Sequence, residues 1–265
     1  MEKRKFFLVP YIKHLSRSGT KYAIHSPFVY KIYKEILKDH TRYTEYNTVD
    51  TVRKKLLDSK ETILRADLGA LNPGSADTRN HVPVSKIIKA SSLNASDGRL
   101  LFRLVRWFKP RTILELGTSF GISTLYMALG NPGAKIISIE GSRETLDIAK
   151  RNIEEISIKN IRLVQGSFDE ILASVLAGIP SPDLVFFDGN HRKKPTLDYF
   201  NLCLQHLNKD SLFVFHDIHW SEGMEQAWNE IRSHPSVTVT IDLFRIGLVF
   251  FNDRLSKEDF ILNWR

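Results

Sequence analysis

From Thr112 onward, short apolar runs and helical patterns take turns along the chain, and this alternation leaves little choice of fold. The runs are Thr112–Leu116, Lys135–Glu140, Ile161–Gln165, Asp183–Asp188 and Ser211–Asp217. Helical patterns follow them at Gly121–Leu129, Arg143–Ile156, Asp169–Ala177, Thr196–Leu207 and Glu222–Ser233. Strands that alternate with helices predict a parallel, doubly wound sheet covered on both faces. The end of the chain breaks the rhythm. Val237–Leu243 and Ile246–Phe251 are separated only by Phe244 and Arg245, too little for a parallel crossover, so they predict an antiparallel hairpin.

The turn after the first of these strands carries the first chemical signal. Thr112–Leu116 breaks at Gly117-Thr-Ser-Phe-Gly121 and resumes as a helix with Ile122, Leu125, Tyr126 and Leu129 on one face. A strand, a glycine turn and a helix N-terminus together present backbone N–H groups that favour a negative group. The spacing is not the G-x-G-x-x-G of nicotinamide folds, because Ser119 stands where the middle glycine belongs. With Glu115 included, the loop reads E-x-G-x-x-x-G, which resembles the first motif of class I S-adenosylmethionine (SAM) methyltransferases.

Ligands in such sheets bind at the carboxyl ends of the strands. The second strand ends at Glu140-Gly141, an acid 23 residues after Gly117, where a carboxylate can accept from two ribose hydroxyls. The third ends Gln165-Gly166-Ser167-Phe168-Asp169, where the resemblance puts an adenine beside Ser167 and Phe168. Taken singly, Glu140 and Asp169 also read as helix-capping acids; acids at consecutive strand ends point to a nucleoside. Asp188-Gly-Asn-His191 after the fourth strand and His216-Asp217-Ile-His219 after the fifth narrow the resemblance. They are similar to bacterial small-molecule O-methyltransferases related to the catechol O-methyltransferase type, over residues 96–251. The similarity implies a Rossmann-like sheet of seven strands, mostly parallel with the antiparallel C-terminal hairpin. It places Glu115, Gly117, Ser119, Gly121, Glu140, Gly141, Gly166, Ser167, Phe168 and Asp188 around SAM.

Catalysis is implied at Asp188, His191, His216, Asp217 and His219. An imidazole has an ordinary pKa near neutrality and suits a general base for a hydroxyl acceptor. His191 then stands where the catechol-type enzymes carry a lysine; the plainer reading is a hydrogen-bonded loop histidine. Metal-dependent relatives bind a divalent ion through an Asp after strand four and an Asp-Asn pair after strand five. Asp188 and Asp217 match, but the Asn position is Ile218. The ion, if one binds, would fall to Asp188, Asp217 and His219, with a nitrogen donor favouring a transition metal; the broken oxygen set favours metal independence. Arg192-Lys-Lys194 reads as a solvated helix start or a contact for an anionic acceptor, and Trp220 as packing or the wall of an aromatic pocket.

Residues 1–95 are expected to be a basic, mainly helical region, and 96–265 the methyltransferase domain. Phe6, Val9, Ile12 and Leu15 recur at helical spacing, Ser26-Pro27 is a helix start, and Val49, Val52 and Leu56 continue the pattern. Ser96 is expected to cap the helix that enters the larger domain. Ala66–Ser75, with Asp67-Leu-Gly69 inside it, is expected to be a loop over the site. The net charge of +8 is lopsided, since residues 1–95 hold 18 Lys+Arg against 9 Asp+Glu. Such a basic face serves an anionic partner or is simply solvated. The single cysteine, Cys203, lies in an apolar helical setting and reads as packing rather than a reactive thiol.

No stretch is long and apolar enough to span a bilayer, and the Phe6–Ile12 run lacks the rest of a signal peptide, so the expected location is cytoplasmic. Three functions fit. The first is a SAM-dependent O-methyltransferase of a small hydroxylated molecule; the second is an RNA methyltransferase using the basic N-terminal face. The third is a non-catalytic SAM-binding protein. The sequence is compatible with a homodimer.

Overall fold

A computed structural model describes residues 2–19, 24–64, 81–91 and 93–264. The loop expected at Ala66–Ser75 lies outside the described residues. In chain order the first elements are helices α1 (Glu2–Arg17), α2 (Pro27–Ile32, running into a π-helical turn, Tyr33–Leu37) and α3 (Glu45–Asp58). Strands β1 (Thr62–Leu64) and β2 (His81–Pro83), then helices α4 (Val84–Ser91) and α5 (Ala95–Phe108), complete the N-terminal part. The alternating part runs β3 (Thr112–Leu116), α6 (Ile122–Gly130), β4 (Lys135–Glu140), α7 (Arg143–Glu155), β5 (Ile161–Gln165) and α8 (Phe168–Ala177). It continues as β6 (Leu184–Phe187), α9 (Lys193–Leu204), β7 (Leu212–His216), α10 (Glu222–Ser233), β8 (Val239–Asp242), β9 (Ile246–Phe250) and β10 (Glu258–Ile261). Among the described residues no helix is long and apolar enough to cross a membrane.

The chain divides into two compact units, His40–Ala177 and the pair Met1–Asp39 with Gly178–Arg265. In the first unit β3, β4 and β5 run parallel, with Leu116 opposite Ile139 and Glu140 opposite Gln165. This register brings the glycine turn and the ends of β4 and β5 to one level. β3 is buried along its whole length, as its apolar run predicts. A core of Val49, Leu56, Ile88, Phe102, Leu125 and Ile148 joins α3, α4, α5, α6 and α7. Helices α5 and α6 approach closely at Gly98, where a Cβ would collide with the Tyr126 ring.

Two local expectations differ from the structure in this unit. The N-cap of α5 is Asn94, whose side-chain oxygen accepts from the Asp97 N–H at 2.9 Å, and not Ser96. Asn94 also donates to the buried Asp97 carboxylate, so the cap satisfies both ends of that pair. Residues 62–64 and 81–83, expected within a mainly helical region, pair as a short antiparallel ribbon.

In the second unit β6 and β7 run parallel, β9 lies antiparallel to both β7 and β8, and β10 pairs parallel with β8. The hairpin β8–β9 is the one expected from its short link. The strand β10 is additional to the seven expected, and its half-exposed sequence lacks the apolar run that marks the others. Helix α2 starts on the Ser26 cap with Pro27 at its first position, and it buries Val29 and Ile32. Cys203 is buried on α9, and loss of solvation pushes its thiol up to about 12, so packing is its role and the thiolate is suppressed.

Candidate functional site

The glycine turn is held from below by Glu115. This residue is fully buried in β3, and its carboxylate accepts hydrogen bonds from the hydroxyls of Ser123, Thr124 and Ser138. Ser123 and Thr124 belong to the first turn of α6, so one acid ties the strand before the loop to the helix after it. The sequence singled out Glu115 but missed its three hydroxyl partners. The signal was there: Ser138 interrupts the apolar run of β4, and a buried polar group needs a partner.

Above Glu115 the backbone turns through left-handed positions at Gly117 (φ 106°), Ser119 (φ 47°) and Gly121 (φ 84°). Glycine adopts these readily; Ser119 does so at a cost. That strained residue is secured from the next strand, because the Ser119 N–H donates to Glu140 Oε2 at 2.9 Å. The other oxygen, Oε1, accepts the Ser142 N–H at 2.9 Å. The carboxylate, with about four acceptor sites, therefore keeps capacity for another donor, and the side chain is only part-buried. Burial pushes its carboxyl up, while the N–H groups of Ser142, Ser119 and Gly141 pull it back towards the ionised form. The Gly166 N–H donates to the Glu140 carbonyl at 3.0 Å, which sets the end of β5 beside it. Ser167 and Phe168 open α8 at that point, Phe168 half-buried and Asp169 exposed.

The second unit holds the histidine and aspartate set. In the β6–β7 register Phe187 faces Phe215, so the next residues, Asp188 and His216, fall side by side. His216 Nδ1 lies 2.7 Å from Asp188 Oδ1, and His191 Nε2 lies 3.7 Å from the same oxygen. An ionised carboxylate only accepts, so Nδ1 of His216 carries the proton in this contact. His216 is buried, whereas the His191 side chain is 19% exposed. Burial pushes the His191 pKa below its ordinary value, against the opposing pull of Asp188 and Asp217. The space enclosed between His191, His216, Tyr199 and Met224 is only about 10 Å³, too small for any acceptor. The turn carrying His191 is fixed by Asn190 (φ 53°), which donates to Tyr199 Oη at 3.0 Å.

The remaining members are turned elsewhere. Asp217 adopts a left-handed backbone (φ 55°), and its Oδ1 accepts from Arg245 Nε at 3.3 Å and Nη2 at 3.2 Å. His219 faces Asp242 at the end of β8, with Nε2 to Oδ2 at 2.8 Å, and Asp242 also neighbours His14 of α1 at 3.2 Å. Burial would push the Asp242 carboxyl up, but the imidazoles of His14 and His219 hold it well below the usual carboxylate range. Sequence reasoning missed Arg245, Asp242 and His14, which lie in hairpin and helix positions with no motif around them.

The oxygen-ligand set of the metal-dependent relatives does not fit here. A guanidinium already occupies one oxygen of Asp217, Asp188 is bound to His216, and Ile218 is buried and apolar. Nearby, Arg192 donates to Asn190, Lys193 pairs with Glu230 at 2.6 Å and Lys194 with Asp198 at 2.6 Å. Trp220 is 42% exposed.

Residues 114–218 match a family model described as a methyltransferase domain. The chain is 30% identical over 131 residues to the uncharacterized protein R132 of Acanthamoeba polyphaga mimivirus, covering 45% of this chain and 58% of that protein. It is 28% identical over 128 residues to a catechol O-methyltransferase of Niastella koreensis, covering 47% and 57%. The chain thus spans a little over half the length of these relatives. In structure it is similar to an O-methyltransferase from Bacillus cereus solved in complex with SAH, with TM-score 0.56 and 17% identity over 80% of this chain and 92% of that one. Residues 114–218 thus match a methyltransferase domain, and the mostly parallel sheet with its antiparallel hairpin shares the fold of that O-methyltransferase.

Proposed function

We propose that the protein is a SAM-dependent O-methyltransferase of a small hydroxylated molecule, with His191 as its general base. The reading rests above all on one observation: Asp188 is held by the buried His216 at 2.7 Å while the part-exposed His191 stands beside it. The fit for SAM is supported by Glu140, whose carboxylate is oriented by backbone N–H groups and keeps acceptor capacity for a ribose hydroxyl. Gly117, Ser119 and Gly121 would face the amino-acid end, with Glu115 positioning them from beneath rather than touching the ligand. Gly141, Gly166, Ser167 and Phe168 would flank the nucleoside.

Bound SAM supplies an electrophilic methyl group on sulfur. The residues of this chain orient the acceptor and remove its proton. His191, kept neutral by burial, is ready to take a hydroxyl proton at neutral pH. Asp188 then stabilises the imidazolium that forms, and His216 fixes Asp188 in place. Arg245 neutralises Asp217, which limits the negative charge around the base.

The test is incubation with methyl-labelled SAM and cell extract separated into small molecules, RNA and protein. Label in the small-molecule fraction, lost with His191→Ala, is the expected result. Label confined to RNA would replace this reading with the RNA enzyme, and SAM binding without transfer to any fraction would leave a non-catalytic SAM-binding protein.

A further inference from the structure

A second cluster of ligand-type side chains lies in the unit Met1–Asp39 with Gly178–Arg265, separate from Asp188, His191 and His216. His14 comes from α1, His219 from the turn after β7 and Asp242 from the end of β8. One ligand atom from each lies within 4.8 Å of the other two. His14 and Asp242 are buried, at 6% and 5% exposure.

Hydrogen bonding within the cluster accounts for only part of this geometry. His219 Nε2 is 2.8 Å from Asp242 Oδ2, but His14 Nδ1, 3.2 Å from Oδ1, is off any hydrogen-bond line. Nδ1 of His219 is buried with no hydrogen-bond partner, and Glu225 Oε1 is the nearest carboxylate at 3.7 Å. A buried imidazole nitrogen in that state is costly unless something else draws on the ring.

Two neutral imidazole nitrogens and one carboxylate oxygen form the donor set of a transition ion, and three protein ligands leave its site open. Zinc–nitrogen bonds of roughly 2.0–2.1 Å put tetrahedral ligand atoms roughly 3.4 Å apart. The two imidazole–carboxylate separations, 2.8 and 3.2 Å, lie just under that value and the remaining pair is within 4.8 Å, so small side-chain rotations would close the shell. Outer partners are also in place. The Phe244 N–H donates to Asp242 Oδ1 at 2.8 Å, and Glu225 Oε1, 3.7 Å from Nδ1 of His219, would need only a small shift to accept from that nitrogen once Nε2 ligates. A cavity of about 200 Å³ adjoins the three, with Lys13, Arg17 and Arg232 in its lining. It gives the fourth position room for water or an anion.

We infer that His14, His219 and Asp242 form a three-ligand site for a divalent transition ion of the zinc type, open to this cavity. A bound ion would fasten α1 to the end of β8.

The test uses tag-free, full-length protein stripped with a chelator and titrated with zinc chloride in a calorimeter. Cobalt(II) absorption then reports the ligand field. The expected result is one zinc per chain, a tetrahedral or five-coordinate cobalt spectrum, and a zinc-dependent rise in melting temperature. His14→Ala should weaken zinc by more than the roughly 10–100-fold of losing an outer-shell partner, while His191→Ala leaves binding intact. No zinc binding by the wild-type chain overturns the inference whether or not any variant folds. So does binding that survives His14→Ala or is lost with His191→Ala. Asp242→Asn serves as the second variant, and circular dichroism confirms that each is folded.

Discussion

Asp188 and His216 sit side by side because β6 and β7 are in register, and their side chains meet at 2.7 Å. The contact divides the labour between the two histidines. His216 is buried and holds the acid; His191 is part-exposed and faces the same acid from 3.7 Å. His191→Ala should therefore lower kcat by roughly a hundredfold or more while leaving SAM affinity unchanged. His216→Ala should lower kcat less, and His216→Gln should restore part of it by donating to Asp188. Steady-state kinetics beside calorimetric SAM titration would separate these outcomes, and a near-normal His191→Ala rate would move the base to His216.

Glu140→Ala removes two things at once, an acceptor for ribose hydroxyls and the anchor of the Ser119 N–H. SAM affinity should fall by about 1–3 kcal/mol, read by calorimetry. Glu140→Gln should fall less, because its amide oxygen still accepts while its NH₂ cannot receive the second backbone N–H. An unchanged affinity in Glu140→Ala would place the ribose elsewhere.

The strand tips were legible in the sequence because β3, β4, β6 and β7 are apolar runs that end at glycine, acid or histidine. Tip position follows from chain order, but side-chain partnership does not. Nothing local says that His219 turns to Asp242 while His216 turns to Asp188, since both depend on register between strands far apart in sequence. Arg245 occupies a hairpin link, where a charge reads as solvent-facing, yet it bonds Asp217. The strand β10 escaped notice because an edge strand with one buried residue in four has no hydrophobic period to detect. Asn94 outcompeted Ser96 as the α5 cap because it also satisfies the buried Asp97.

The lowered pKa of His191 has a pH signature. The acid limb of kcat/KM should inflect below 6.5, the ordinary imidazole value, because the native ring resists protonation. The same shift acts on stability. Between the lowered native value and 6.5 the unfolded chain binds the proton and the native chain does not, so His191 makes stability rise with pH across that window. At and above 6.5 the effect fades. Urea titrations over that range should show a flatter dependence for His191→Ala than for the parent, and an unaltered slope would contradict the lowered pKa of the ring.

Glu115 offers a test of whether the glycine turn is built or merely allowed. It is fully buried and accepts from Ser123, Thr124 and Ser138. Glu115→Ala would strand the hydroxyls of Ser123 and Thr124, while Ser138 keeps Thr118 as a partner; each unsatisfied group costs about 1–3 kcal/mol where no water replaces the acid. A net loss of about 3 kcal/mol or more is expected in urea unfolding. Glu115→Gln, keeping one oxygen but replacing the other with an NH₂ that cannot accept from the hydroxyls, should also be destabilising but less so. Because the acid never needs to meet the ligand in this scheme, Glu115→Gln should weaken SAM binding less than Glu140→Ala does. If its affinity falls further than that of Glu140→Ala while the fold holds, Glu115 contacts the ligand directly and its positioning role is refuted.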